Sequence, residues 1–231
     1  MTLDDLRLKS IASDVFAKRG LVVKEACFTS FKEMNFRWTL KGNAVTLKVS
    51  DYLNDAPDEV LEEFLKGAMT YIVGGRHVFG KRYMEYMTSD EFILSKRPVY
   101  YRRGRRLLRS DIGEYRNLFD AVQRLVERGL LNESDIQNTL FTWTAEPTFI
   151  RLGYCSQMFR IVVISSIFDD PKVPEELLDY VVFHECLHLR QGYRPFNRRP
   201  HDSEFQRQER MFPRYEEMES QLKSLHRMAK S

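Results

Sequence analysis

Apolar positions along the chain alternate between helical and strand-like periods, and their order predicts a mixed α+β protein. Leu3, Leu6, Ile11, Val15 and Phe16 recur at helical spacing and predict an N-terminal helix over 3–18. Strand-like stretches follow near 21–30, 35–40 and 44–49, with Lys41-Gly42-Asn43 as a hairpin turn. Asp55-Ala56-Pro57 then announces a helix whose stripe of Val60, Leu61, Phe64, Leu65, Ala68, Met69 and Ile72 reads as core. Tyr115, Leu118, Val122, Leu125 and Val126 mark another amphipathic helix within 111–131. Arg160 to Ser165 is rich in β-branched residues and alternates little, as a strand buried on at least one face does. Residues 179–189 form an apolar helical run, and Gly192, Pro195, Asn197 and Pro200 let the chain double back into a last helix that ends before Pro213. No internal repeat or low-complexity segment is visible.

The run at 179–189 carries the chemistry. His184, Glu185 and His188 form a His-Glu-x-x-His constellation. One helical turn separates the histidines, so both can aim an imidazole nitrogen at one metal ion. Glu185 is rotated by about 100° and sits beside that site, where a general base belongs. Neutral imidazoles hold Zn²⁺ at roughly 2.0–2.1 Å, and a catalytic zinc keeps one position for a water whose pKa it lowers. Chance could produce the motif on a surface helix. The flanking Val181, Val182, Phe183, Leu187 and Leu189 argue otherwise, because two imidazoles and a carboxylate left unpaired among them would be costly.

A third ligand is required, and three of the five histidines lie between 184 and 201. His201 is one candidate; Glu204 and Asp202 are rivals, since carboxylates also serve as third zinc ligands. Cys155 and Cys186 read as packed thiols, because no Cys-x-x-Cys spacing occurs. An edge strand near the metal would hold extended peptide by strand addition. Tyr154, Tyr180 and Tyr193 are candidates for steadying an oxyanion or contacting substrate.

Four pieces in order carry a family resemblance: Gly153-Tyr154-Cys155-Ser156, Arg160-Ile161-Val162-Val163-Ile164, the helix Asp179 to Leu189, and His201-Asp202-Ser203-Glu204-Phe205. Residues 153–213 resemble the SprT-like and YgjP-like metallopeptidases, relatives of the minigluzincins. The chain has Leu152-Gly153-Tyr154-Cys155 where that family has Trp-Gly-Ser-Cys, and its loop from Leu189 to His201 is longer than in the YgjP-like members. The resemblance implies a zincin-like fold, a small and mostly antiparallel sheet with an active-site helix and backing helices. It implies His184, His188 and His201 as zinc ligands and Glu185 as catalytic acid/base. The resulting division is an N-terminal helix at 1–20, a hairpin and helix forming the front of the peptidase unit at 21–74, a helical insertion at 75–139 and the catalytic core at 140–231.

Charge adds one feature inside that insertion. Lys96, Arg97, Arg102, Arg103, Arg105, Arg106 and Arg109 run without an acidic residue between them, interleaved with Tyr100 and Tyr101. Arginines beside exposed aromatics bind phosphate backbones and stack on unpaired bases, so Arg102, Arg103, Arg105 and Arg106 are candidate nucleic-acid contacts. A solvated surface loop explains such a run too, and the formal net charge is only +3. With 231 residues, 43% hydrophobic, the chain can bury one sizeable core or two small ones. No apolar run reaches membrane-spanning length, and three cysteines without a disulfide framework suit the cytoplasm. The expected function is a zinc-dependent endopeptidase acting on protein or peptide. Its alternatives are a SprT-like peptidase recruited to DNA-bound proteins and a non-catalytic zinc-stabilised scaffold.

Overall fold

Helix α1 (Leu3–Ala17) starts at a capping box: the Thr2 side chain accepts from the Asp5 amide at 3.1 Å and Asp5 Oδ2 accepts from the Thr2 amide at 2.8 Å. Asp5 Oδ1 also accepts from the Phe28 amide at 2.9 Å, so the cap fastens the helix to strand β1 (Val22–Thr29). These backbone donors hold the Asp5 carboxyl below the usual carboxylate range. Strands β2 (Phe36–Lys41) and β3 (Ala44–Ser50) form a hairpin turned at Gly42, whose φ of 59° suits glycine. The sheet order is β1-β3-β2, β1 parallel and β2 antiparallel to the central β3. Helices α2 (Asp58–Ile72), α3 (Lys81–Met87) and α4 (Asp90–Arg103) follow. Leu8, Phe16, Val45, Leu47, Val49, Leu61, Phe64 and Leu65 are fully buried here.

This is a computed structural model, and it describes residues 2–75, 79–104, 107–195 and 200–228, with residues 226–228 described by backbone alone. The chain divides into two units, Met1–Arg103 and Gly104–Ser231. The second contains α5 (Leu118–Glu127), α6 (Glu133–Ile136), β4 (Leu140–Trp143), β5 (Gly153–Ser156), β6 (Ile161–Ile164), α7 (Glu175–Arg190), α8 (Ser203–Glu209) and α9 (Tyr215–Met228). Its sheet order is β4-β6-β5, β4 parallel and β5 antiparallel to β6. All four residues of β6 are buried, as the unbroken apolar run requires. Helix α7 is buried along most of its length and is fixed at both ends by arginines. Arg124 of α5 forks onto Asp179, Nε at 3.0 Å and Nη2 at 2.6 Å. Arg190 forks onto Asp135 of α6 at 3.0 and 2.6 Å and donates to the Leu130 carbonyl at 2.9 Å.

Two expectations change. Each sheet is half parallel rather than mostly antiparallel, because the third strand enters between the first two, and only the hairpin half of that pairing joins strands adjacent in sequence. The stretch expected as one insertion, 75–139, is shared: α3 and α4 belong to the first unit, and α5 and α6 to the second. The units also repeat one plan. Each has a helix, a strand, and a hairpin whose second strand is central. A 3-10 turn with serine at its N-cap (Ser50, Ser165) and a long helix opened by proline (Pro57, Pro174) follow, then a short helix and a final helix. Helix α6 is the extra element of the second. No described helix is long and apolar enough to cross a membrane.

Candidate metal centre

Helix α7 places His184 and His188 on one face, their ring centroids 5.2 Å apart. The chain returns to bring His201, just before the Asp202 N-cap of α8, against both: centroids 5.1 Å from His184 and 4.9 Å from His188. One potential ligand atom from each histidine lies within 4.8 Å of the others. His188 Nε2 and His201 Nε2 are 3.1 Å apart. That distance serves a single N–H···N bond, and it is also close to the roughly 3.3 Å between two nitrogens on a tetrahedral zinc with ~2.0–2.1 Å bonds. The third imidazole distinguishes these uses, because one proton cannot bridge three nitrogens and one cation can. Phe205, on the first turn of α8, packs under all three rings with centroids 4.6–5.1 Å away. The donor set therefore fits a three-histidine metal site.

Protonation agrees with that fit at two of the three rings. Burial, and then the charge of His184, push His188 down to about 4, and the same two causes lower His201, so both rings are neutral at pH 7 and able to ligate. Burial opposes charging of His184 as well, but a hydrogen bond to Glu209 and the charges of Glu185 and Glu209 outweigh it and raise that histidine. Nδ1 of His184 lies 2.5 Å from Oε1 of buried Glu209, which fixes the tautomer and leaves Nε2 for the metal. Burial pushes the Glu185 carboxyl up to about 7, with His184 and Arg151 pulling the other way. Gly153 of β5 approaches Glu185 so closely that a Cβ there would lie 2.7 Å from Oε1, so any larger residue would force the carboxylate to shift.

The rivals for the third ligand are occupied elsewhere. Asp202 caps α8 through the Phe205 amide at 2.9 Å and pairs with Arg194 at 2.8 Å. Glu204 is exposed and pairs with Arg207 at 2.6 Å. Tyr180 is fully buried, its hydroxyl 3.2 Å from Glu209 Oε1 and 2.9 Å from Glu219 Oε1, so it positions the carboxylate behind His184 instead of facing substrate. Tyr154 lies on β5, under the Arg151 guanidinium at 4.1 Å. Tyr193 is half-buried on the loop after α7. Cys186 is buried, and burial pushes its thiol far up.

Glu209 is the functional residue that sequence reasoning missed. Its signal was an acid one helical turn after Phe205, on the buried face of a short helix. Arg151 was missed too, on the loop before β5.

The basic segment begins on α4, which ends at Arg103, and Arg97 and Tyr100 are buried. Arg103 pairs with Asp51 at 2.5 Å, donates to the Phe31 carbonyl at 2.6 Å and lies over the Tyr52 ring. Arg102 is exposed, while Arg105 and Arg106 lie outside the described residues. Comparison with known proteins adds no name to this arrangement: no protein-family model matches the chain, and no curated protein matches it.

Proposed function

We propose that the chain is a zinc-dependent endopeptidase of zincin-like design, acting on protein or peptide as SprT-like and YgjP-like enzymes do. The observation that carries this is the convergence of His184, His188 and His201 next to a buried carboxylate, Glu185, on the same helix. Zn²⁺, suited to an all-imidazole set, would supply a Lewis acid and a bound water of lowered pKa. The protein's own groups supply the rest. Glu185, raised to about 7, is matched to accept and return a proton near neutrality. Strand β5 is an edge of its sheet, and Gly153 brings its backbone against Glu185, so extended peptide paired along β5 by strand addition runs beside the acid/base. Arg151, whose charge acts on Glu185, and Tyr154, stacked on it, are the groups suited to an oxyanion. Cys27, Cys155 and Cys186 are thiols rather than disulfide halves, which suits a reducing compartment such as the cytoplasm.

The test combines metal content with hydrolysis of an unfolded protein. Wild type should carry about one zinc per chain, with His184→Ala and His201→Ala losing it. Glu185→Gln should keep the zinc and lose turnover. Zinc-free wild type, zinc-bound wild type without turnover, or Glu185→Gln with wild-type turnover would refute the proposal; the second result would leave a zinc-stabilised scaffold.

A further inference from the structure

The first unit repeats the plan of the second with the metal centre removed. Counting from the prolines that open the long helices, Gly67, Ala68 and Tyr71 of α2 stand where α7 has His184, Glu185 and His188. Phe79 precedes the N-cap of α3 as His201 precedes that of α8, and Tyr83 and Phe205 are each the third residue of their helix. Strand register extends the match. Phe36 pairs with Val49 just before Ser50, as Gly153 pairs with Ile164 just before Ser165. Rings fill what would be the site: Phe36 to Phe64 at 5.7 Å, Phe64 to Phe79 at 5.9 Å, Phe79 to Tyr83 at 4.8 Å. A Cβ on Gly67 would lie 2.8 Å from the Phe79 ring, so no imidazole fits at the position of His184.

The strand edge survives. Lys41 and Ala44 flank the two-residue turn, and the Ser50 amide donates to the Asn35 carbonyl at 3.0 Å, so the odd-numbered residues of β2 bond to β3. The amides and carbonyls of Trp38 and Leu40 therefore face the outer edge. Their side chains are 37% and 42% exposed, Trp38 resting on Phe36 and Tyr71 at 5.2 Å each, so apolar anchors line that edge. On the opposite face Arg37 sits directly across from Lys48, with Lys41 further along β2, and neither strand has an acidic residue. Like charges paired across strands destabilise a sheet unless an anion covers them. Basic side chains also serve merely to keep edges apart, but a strand so protected has no use for two exposed apolar residues beside its open amides.

We propose that β2 of the first unit is a docking strand for an extended, acidic segment of unfolded polypeptide, retained from a duplicated peptidase plan whose chemistry this copy has lost. The segment adds to the sheet through the outward groups of Trp38 and Leu40, and its carboxylates lie against Arg37, Lys41 and Lys48. A long chain tethered there meets the other unit at an effective concentration on the order of millimolar, which favours long unfolded chains over short peptides. Its use as a substrate site rests on the peptidase reading; the docking does not.

The test is fluorescence anisotropy with labelled β-casein, an unfolded acidic protein, titrated with full-length Glu185→Gln so that nothing is cleaved. In that background Leu40→Pro removes an outward donor without breaking a β2–β3 bond and should weaken binding at least tenfold. Lys41→Glu/Lys48→Glu, at exposed positions that the fold tolerates if proline does not, should weaken it severalfold. Unchanged affinity in a folded Leu40→Pro, or in the charge-reversed variant, would overturn the proposal. So would tight binding of a single-stranded oligonucleotide that the charge reversal abolishes and Leu40→Pro leaves intact. Intact binding without turnover in wild type would remove the peptidase reading alone.

Discussion

Replacing Glu209 tests the second layer of the metal centre. Its Oε1 lies 2.5 Å from His184 Nδ1 and within reach of the buried Tyr180 hydroxyl, so Glu209→Ala takes that partner from the half-buried His184 ring and leaves Tyr180 with Glu219, while Glu209→Gln keeps an acceptor and loses the charge. Carboxylates behind metal-bound histidines are typically worth 10- to 100-fold in metal affinity, or about 1.4–2.8 kcal/mol. We expect the glutamine variant near the lower figure and the alanine variant near the upper. Zinc affinity is read by competition with a chromophoric chelator, and independently by the rise in Tm on adding zinc. At free zinc about 100 times the wild-type Kd, binding adds ~2.7 kcal/mol of stability; after a 100-fold loss of affinity it adds only ~0.4 kcal/mol. The zinc-dependent increment is the quantity to compare, because the His184–Glu209 bond also stabilises the metal-free protein. Wild-type zinc affinity in both variants would refute a role for Glu209 in orienting His184.

Gly153→Ala drives a methyl group into the Glu185 carboxylate, so turnover should fall at least tenfold while zinc content holds; wild-type turnover would show that the close approach of β5 to Glu185 has no part in catalysis. Burial works against charging Asp135, but Arg190 and the Asn132 amide hold its carboxyl below its ordinary 3.8, so the stability it contributes is present above about pH 4 and is lost as the pH falls through the lower folded value. Asp135→Asn should thus lower Tm at pH 7 and converge on wild type in acid, and an equal deficit at both pH values would refute the linkage.

What the sequence discloses depends on how local the encoding is. The ligand pair His184 and His188 is set by helical spacing alone, and the turn residues after Leu189 announced that His201 could return to it. Glu209 and Arg151 reach the centre through tertiary packing, which no spacing records. The N-terminal helix, the Lys41-Gly42-Asn43 hairpin and the long helix after Pro57 were legible from period and punctuation. The parallel pairings of β1 with β3 and of β4 with β6 were not, because those strands are separated in sequence by another strand. The repeat escaped notice because the residues that would announce it are the ones replaced. Gly67, Ala68, Tyr71 and Phe79 share packing positions, not chemistry, with their counterparts. The partners of Arg103 were equally hidden: a run of arginines says nothing of Asp51 and Tyr52, which the fold brings to one of them from far earlier in the chain.

Chains that carry two copies of one topology risk exchanging strands during folding, since each half offers the other a ready partner. The contact between Gly153 and Glu185 guards against that error here. A hybrid that seated β2 in the place of β5 would push the Phe36 ring into a gap too small for a single methyl group, and the reverse hybrid would leave a hole among Phe64, Tyr71 and Phe79. Divergence at this one pair of positions therefore makes the correct assembly the better-packed one, and the glycine that lies against Glu185 also helps each half of the chain to recognise its own strands.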